Sequence, residues 1–256
     1  MLKFKYIFKK EMPVGIEVFK KHLREKRAIK LSLGSNIDAN KTALIATCAQ
    51  NAHASAIDIA CDKKSFEIAK KHTKLPIFAS SNHPFSLQEA LKWGVDGIEI
   101  GSFNSLRKKG KMYSPHELYN IVLETCALAN DYDTFISVCI PKEYNKEEKA
   151  NLVKKLELLG IDLIRLETSN IIKDIQELSE IANASIIPFA FLLENANDIK
   201  TIFENGFCAV DVEYIAQKYE SLAHISTTTM TLVGAISHRN SINKEILRTS
   251  REMFAY

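Results

Sequence analysis

The sequence predicts a closed (βα)8 barrel, an α/β fold of the TIM-barrel class, with one extra helix ahead of the first strand and another after the last. Three observations predict it. Eight short apolar β-type runs, at 29–33, 56–60, 75–79, 97–101, 135–140, 163–166, 186–191 and 207–212, follow one another along the chain. Each leads through a polar loop into a helical pattern, and strand–helix alternation of this kind builds a parallel sheet. The 256 residues are the length at which eight such units close, so one domain over 1–256 is expected. In that fold chemistry sits in the loops after the C-terminal ends of the strands, which makes the residues following each run the site candidates. The fold itself names no reaction.

Taken in order, 14–25 places Ile16, Phe19, Lys20 and Leu23 along one side of a helix and ends in a basic cluster suited to a helix C-terminus. The preceding residues 1–10, basic and aromatic, read as an arm or a cap under the barrel floor, since they lack the apolar segment of a signal peptide. Helices follow at 39–51, at 63–72 behind the N-cap Asp62, and at 86–93 before Gly94. Ser114-Pro115-His116-Glu117 is a capping box with Pro at the first helical position, opening a helix to about Ala129. Further helices are expected at 146–159 before Gly160, at 171–181, and at 197–204 before Asn205-Gly206. The phrase helix, Gly, strand recurs at Gly94, Gly160 and Gly206 and marks αβ turns on the face of the barrel that carries stability. Residues 226–233 have high β propensity and compete with 207–212 for the eighth strand, and an amphipathic helix at 242–253 is expected to pack outside.

Composition narrows the class. Charged residues are 25% and hydrophobic ones 46%, ordinary for a globular protein, and the net charge is only +3. No basic stripe with interleaved aromatics points to nucleic acid, and no stretch approaches the ~20 apolar residues of a membrane span. The densest basic run, Arg107-Lys108-Lys109-Gly110-Lys111, reads first as a solvated loop, and its alternative is a phosphate-binding segment that reaches over the mouth and supplies positive charge there. Five cysteines, Cys48, Cys61, Cys126, Cys139 and Cys208, show no zinc spacing and sit mostly in apolar runs, which suits a reducing compartment.

Side chains alternate along a strand. With the large apolar residues turned out to the helices, Asp58, Glu99, Gly101, Arg165, Glu167, Lys30, Ser32, Gly34, Ser137, Cys139, Ala209 and Asp211 face the lumen. A barrel lumen is usually filled by branched aliphatics, so this charge has two explanations. One is a satisfied ion network that fixes register. The other is acid/base work by the upper members at the open end, Glu167, Asp211 and, after them, Asp58. At the mouth stand Ser35, Asn36, Cys61, Asp62, Ser80 to His83, Ser102, Asn104, Pro141, Thr168, Asn170, Glu194 and Glu213. His83 is the one histidine that the pattern puts there, although a loop His before Pro84 also suits a helix start. Cys61 is a candidate nucleophile with no His near it in sequence, and strand-end cysteine is commonly packing.

Several phrases resemble the Ycf23 family of algal plastids and cyanobacteria. They are Ile57-Asp58-Ile59-Ala60-Cys61-Asp62, Leu75-Pro76-Ile77-Phe78-Ala79-Ser80-Ser81, and Ile98-Glu99-Ile100-Gly101-Ser102-Phe103 with Lys109-Gly110 and Ser114 beyond. Ser137-Val138-Cys139-Ile140-Pro141 and the Glu167 strand end are similar to its phrases too. The resemblance runs from about Lys30 to Glu167 and implies a phosphate-binding type of barrel whose activity is not established, in a plastid stroma or a similar reducing compartment. That family has small, Gly-rich turns after its seventh and eighth strands, where backbone N–H groups approach a phosphate. Here those places read Phe189-Ala190-Phe191-Leu192-Leu193-Glu194 and Ala209-Val210-Asp211-Val212-Glu213, so the resemblance implies a phosphate grip that is absent or has changed its ligand.

Two readings follow. The first is a metal-free acid/base enzyme, a lyase, isomerase or synthase acting on a small metabolite. Glu167 is its acid or base, Asp58 and Arg165 orient Glu167, and His83 completes the catalytic set. Ser35, Asn82, Ser102, Asn104, Asp211 and Glu213 hold substrate, and any ligand is neutral or cationic at the Asp211–Glu213 end. The second is a non-catalytic binding or scaffold barrel that has lost the phosphate site. A metal centre needs several His and carboxylate ligands converging, and the mouth offers His83 alone. No cofactor and no oligomeric state are read from the sequence.

Overall fold

A computed structural model describes residues 14–34, 37–101, 103–168, 170–193, 202, 205, 207 and 209–213. The chain runs through helix α1 (Val14–Arg24), strand β1 (Ala28–Ser32), α2 (Ala39–Asn51), β2 (Ala56–Ala60), α3 (Lys63–His72), β3 (Ile77–Ser81) and α4 (Pro84–Trp93). It continues through β4 (Gly97–Ile100), α5 (Asn104–Arg107), α6 (Pro115–Leu128), β5 (Phe135–Ile140), α7 (Lys146–Leu159), β6 (Leu163–Glu167), α8 (Ile171–Ala184), β7 (Phe189–Leu193) and β8 (Ala209–Glu213). The eight strands pair in sequence order, all parallel, and β8 returns to β1 to close the barrel. The expected eighth strand is therefore the one near 207–212. Residues 1–13, 226–233 and 242–253, and most of 197–204, lie outside the described residues.

Proline moved two strands from their expected places. β3 begins after Pro76 and β7 after Pro188, two and three residues later than the apolar runs suggest, because proline has no N–H for the ladder. Ile186, expected in the seventh strand, is 88% exposed. The shift brings Ser80 and Ser81, expected in a loop, into β3. The αβ turns carry a second device. Asp96 Oδ2 accepts from Ile77 N and Asp162 Oδ2 from Ile136 N, each at 2.9 Å, so the Asp of one turn satisfies an N–H at the start of the preceding strand. Ser55 Oγ does the same for Ile29 N at 3.0 Å.

Two apolar clusters flank the barrel wall. Ile29, Leu31, Ile57, Ile59, Ile98, Ile100, Ile164 and Leu166 pack outward with the helices. Below the lumen, Ile16, Phe19 and Leu23 of α1 pack with Ala28, Ala56, Phe78, Phe135, Leu163 and Ala190, so α1 is the floor of the barrel. The Phe19, Phe78 and Phe135 rings meet edge to face with centroids 5.2–5.5 Å apart. Gly97 is small because Phe78 is there: a Cβ at Gly97 would lie 2.5 Å from Phe78 Cε1. Held by two other rings, Phe78 has no free direction in which to swing. Gly97→Ala is expected to destabilise the fold by about 1–3 kcal/mol through overpacking. Urea denaturation measures it, and an unchanged midpoint would show that the floor can repack.

Candidate functional site

Contacts between strands that are not neighbours prove which side chains enter the lumen. Lys30 Nζ on β1 donates to Glu99 Oε2 on β4, and Arg165 Nη2 on β6 lies 2.6 Å from Glu99 Oε1. Such pairs can meet only across the interior. Ser137 Oγ adds a hydrogen bond to Glu99 Oε2 at 3.3 Å, and Arg165 Nη2 donates to Gly101 O at 3.2 Å. Lys30 and Glu99 are fully buried and Arg165 nearly so. Lys30 Nζ stands 4.7 Å over the Phe78 ring, so that ring separates the aromatic floor from the charged layer above it. Gly101 follows β4 directly with φ +131°, and a Cβ there would lie 2.5 Å from Cys139 Cβ. Only glycine allows this close passage over the charged layer.

Asp58 lies beside that network. Ser32 Oγ donates to its Oδ2 at 3.1 Å and Ser80 Oγ to its Oδ1. Burial first, and then the Glu99 charge, push its carboxyl up to about 7, against the opposing pull of Lys30, Arg165 and Ser80. Glu99 goes the other way. Burial alone would raise it, but the charges of Arg165 and Lys30, with hydrogen bonds from Lys30 and Ser137, outweigh that and hold it below the usual carboxylate range. Two lumen carboxyls are thus driven apart, one ionised and one near half-protonated at neutral pH. This is the pattern by which one site supplies a fixed charge and an exchangeable proton.

Above this layer, Glu167 ends β6, and its carboxylate is gripped by Arg107 of α5, whose Nη1 donates to Oε1 at 3.1 Å and Nη2 to Oε2. The other edge of the same guanidinium, Nε and Nη2, donates to Glu143 Oε1 and Oε2 at 2.7 and 2.9 Å. These hydrogen bonds, against burial, hold the Glu143 carboxyl below its ordinary range. Three strand ends are joined in this way: the loop after β4, the loop after β5, and β6 itself. Tyr144 Oη ties the same two loops again by donating to Tyr113 O at 2.7 Å.

The expected assembly is corrected here. Asp58 and Arg165 do not orient Glu167; both gather around Glu99, and Arg107 holds Glu167. His83 is an exposed N-cap of α4 with no side-chain cap bond, its backbone N–H going to Ser81 Oγ at 3.0 Å. The helix-start role of a loop His before Pro84 is the one it fills. Asn82 is half-buried between β3 and α4. Asp211 and Glu213 stand in β8 at the register of Lys30 and Ser32, their side chains outside the described set. The Asn104 side chain, Ser35 and Ser102 are outside it too. Cys61 donates to Ser86 O at 3.0 Å, and burial, then Asp62 and Asp58, push its thiol up to about 11, which suits packing rather than a thiolate. Sequence reasoning missed Arg107 and Glu143 as partners. Arg107 closes the single-turn helix α5 and Glu143 lies in the β5–α7 loop, segments too short for a period to give direction.

A 240 Å³ pocket opens on the mouth side between the β1–α2 and β2–α3 connections, lined by Gly34, Ala60 and Asp62 among others. A larger one of 470 Å³ lies on the opposite face between α1 and α8, away from the charged lumen. Among the described residues no group of three or more His, Cys, Asp and Glu is placed to hold a metal, and no helix is long and apolar enough to cross a membrane.

With this geometry in hand, the chain can be set beside known proteins. A family described as "Protein of unknown function (DUF561)" matches residues 16–247. The uncharacterized protein Ycf23 of Cyanophora paradoxa is 32% identical over 197 residues, covering 75% of this chain and 79% of that protein. Ycf23 of Cyanidium caldarium is 32% identical over 152 residues, covering 59% of this chain and 60% of that protein, less than two thirds of its length. Among solved structures, an aldolase designated QR15 superposes with a TM-score of 0.62 at 10% identity, over 85% of this chain and 97% of that one. The 3-hexulose-6-phosphate synthase of Salmonella typhimurium gives 0.58 at 12%, over 81% and 98%. At such identities the likeness is one of barrel fold alone.

Proposed function

The chain belongs to the Ycf23 family, the protein family of unknown function DUF561, and from that premise we propose that it is a single-domain acid/base enzyme acting on a small metabolite at the mouth of its barrel. The observation that carries this reading is Asp58: a buried carboxyl under the mouth, held by two serine hydroxyls, with a pKa pushed up to about 7. A group poised near the working pH is both a competent acid and a competent base. The proton transfers of a lyase, isomerase or synthase need such a group. Glu99, Lys30 and Arg165 set the field around it, and Glu167 with Arg107 meets substrate at the rim. The chemistry is metal-free in this reading, because the lumen carboxylates are neutralised by Lys30, Arg165 and Arg107. At the β7–β8 edge, Leu192, Asp211 and Glu213 replace a Gly-rich turn, which favours a neutral or cationic ligand group on that side. The free cysteines Cys48, Cys61, Cys126 and Cys139 fit a reducing compartment, a plastid stroma or a cytoplasm-like one.

One observation favours a second reading, a binding or scaffold barrel without turnover. Lys30, Glu99, Asp58 and Arg165 are all buried, and Glu99 is already paired with both Lys30 and Arg165. A single experiment separates the two. The purified chain is incubated in D2O with fractionated metabolite extract, and mass spectrometry follows new products, deuterium uptake and retained compounds. The enzyme reading expects a product or exchange that Asp58→Asn abolishes. A compound retained unchanged supports the binding reading, and turnover that survives in Asp58→Asn overturns the role given to that carboxyl.

A further inference from the structure

Arg107 is engaged on both edges by unequal partners. Glu167, on one edge, has a side chain only 9% exposed and sits at the end of a strand. Glu143, on the other, is 39% exposed and sits in the β5–α7 loop. Beneath the guanidinium, 6.0 Å away, lies the ring of Phe103, itself buried. Glu167 and Phe103 therefore fix the group in place, while the Nε/Nη2 edge is covered from the solvent side by the carboxylate of a partly exposed loop residue. Lys108, Lys109 and Lys111, all exposed on the same loop, raise the concentration of anions near this edge.

We infer that Glu143 is an internal stand-in for the ligand, and that the Nε/Nη2 edge of Arg107 is a recognition site for an oxyanion presenting two oxygens, a carboxylate or a phosphate. The inference rests on the reading of the mouth as a small-molecule site and deepens it by assigning an anionic group to the ligand at the β4–β6 edge. The exchange leaves the guanidinium edge paired with an anion throughout. One carboxylate leaves a guanidinium as another two-oxygen anion arrives, and the parallel N–H···O pair is remade with the same geometry. Glu143, already partly in water, needs little further change on release, and Lys142 beside it remains a favourable neighbour. It also follows that the resting protein is self-blocked. Inorganic phosphate and simple sugar phosphates bind it weakly because the site is occupied by its own side chain.

The test uses calorimetric titration of the full chain with malonate and, separately, inorganic phosphate, at constant ionic strength set by chloride. Glu143→Ala removes the competitor. If the edge is open a tenth of the time or less, this variant binds at least one of the two probes about tenfold or more tightly than the native chain. Glu143→Gln, which keeps one acceptor, is expected between them. Arg107→Lys keeps the charge but not the fork, and in combination with Glu143→Ala it is expected to abolish the gain. Which probe gains more identifies the anion as carboxylate or phosphate. Equal affinity in native and Glu143→Ala protein, or a gain that survives Arg107→Lys, overturns the inference. The readout is binding, with melting curves as a check on folding, so failure here leaves the role of Asp58 standing. Failure of the Asp58 experiment likewise leaves this one intact.

Discussion

Glu99→Gln is expected to destabilise the protein by about 3–5 kcal/mol, the usual result of removing one member of a buried ionic network. Glu99 accepts from Lys30 and Ser137 and faces Arg165 at 2.6 Å, with no exposure to water. Glutamine has nearly the same shape, so packing survives and the electrostatic loss is isolated. What remains is two cations in the interior with Asp58 as their nearest anion. Asp58 softens the effect, since removal of Glu99 also removes a charge that helps to keep it neutral. In a chain of this size the loss corresponds to a fall in melting temperature of roughly 2–4 °C per kcal/mol. Replacing Lys30, Glu99 and Arg165 together by apolar residues of similar volume is expected to restore much of the stability. Urea and thermal denaturation of the single and triple variants measure both effects. A silent Glu99→Gln would mean that water reaches the layer and screens it.

The second large effect is on pH. The Asp58 carboxyl titrates near 7 in the folded chain and near 3.9 in an unfolded one. Between those values the folded state holds a proton that the unfolded state has released. This contribution is therefore complete below about pH 4, declines as pH rises, and has been lost by about pH 7 to 8. Its size is of the order of a few kcal/mol. Glu99 has the opposite sign, its folded pKa being depressed, and its contribution is lost as pH falls below the ordinary carboxylate range. Together they favour a stability maximum on the acid side of neutral. Denaturation at pH 5 and pH 8, for the native chain and Asp58→Asn, isolates the first term. The native protein is expected to lose a few kcal/mol over that interval relative to the variant, and parallel pH profiles would show that Asp58 ionises normally.

The positions of these groups were legible before any coordinates, and their partners were not. Alternation decides a side chain's face from its immediate neighbours: Ile57 and Ile59 had to meet the helices, which turned Asp58 inward, and Ile98 and Ile100 did the same for Glu99. The eight-fold order and the helix starts at Asp62 and Ser114 were equally local, since a cap or a period is complete within a few residues. The starts of β3 and β7 were misplaced by apolar residues that precede a proline, where local hydrophobicity outran the loss of a hydrogen-bond donor.

Partnership depends on closure. Lys30 and Glu99 are 69 residues apart, and Arg107 and Glu167 are 60. They meet because β8 seals against β1 and because the loop after β4 leans across β5 to β6, and neither event leaves a period in the sequence. The barrel, its strand order and the inward charge follow from short-range sterics and burial, which neighbouring residues settle among themselves. That Glu99 is the hub, that Asp58 is the carboxyl left near-neutral, and that Arg107 guards the rim follow from the closed fold. Those outcomes depend on distances across an enclosed space of low dielectric, where a change of a few ångströms decides which acid keeps its proton.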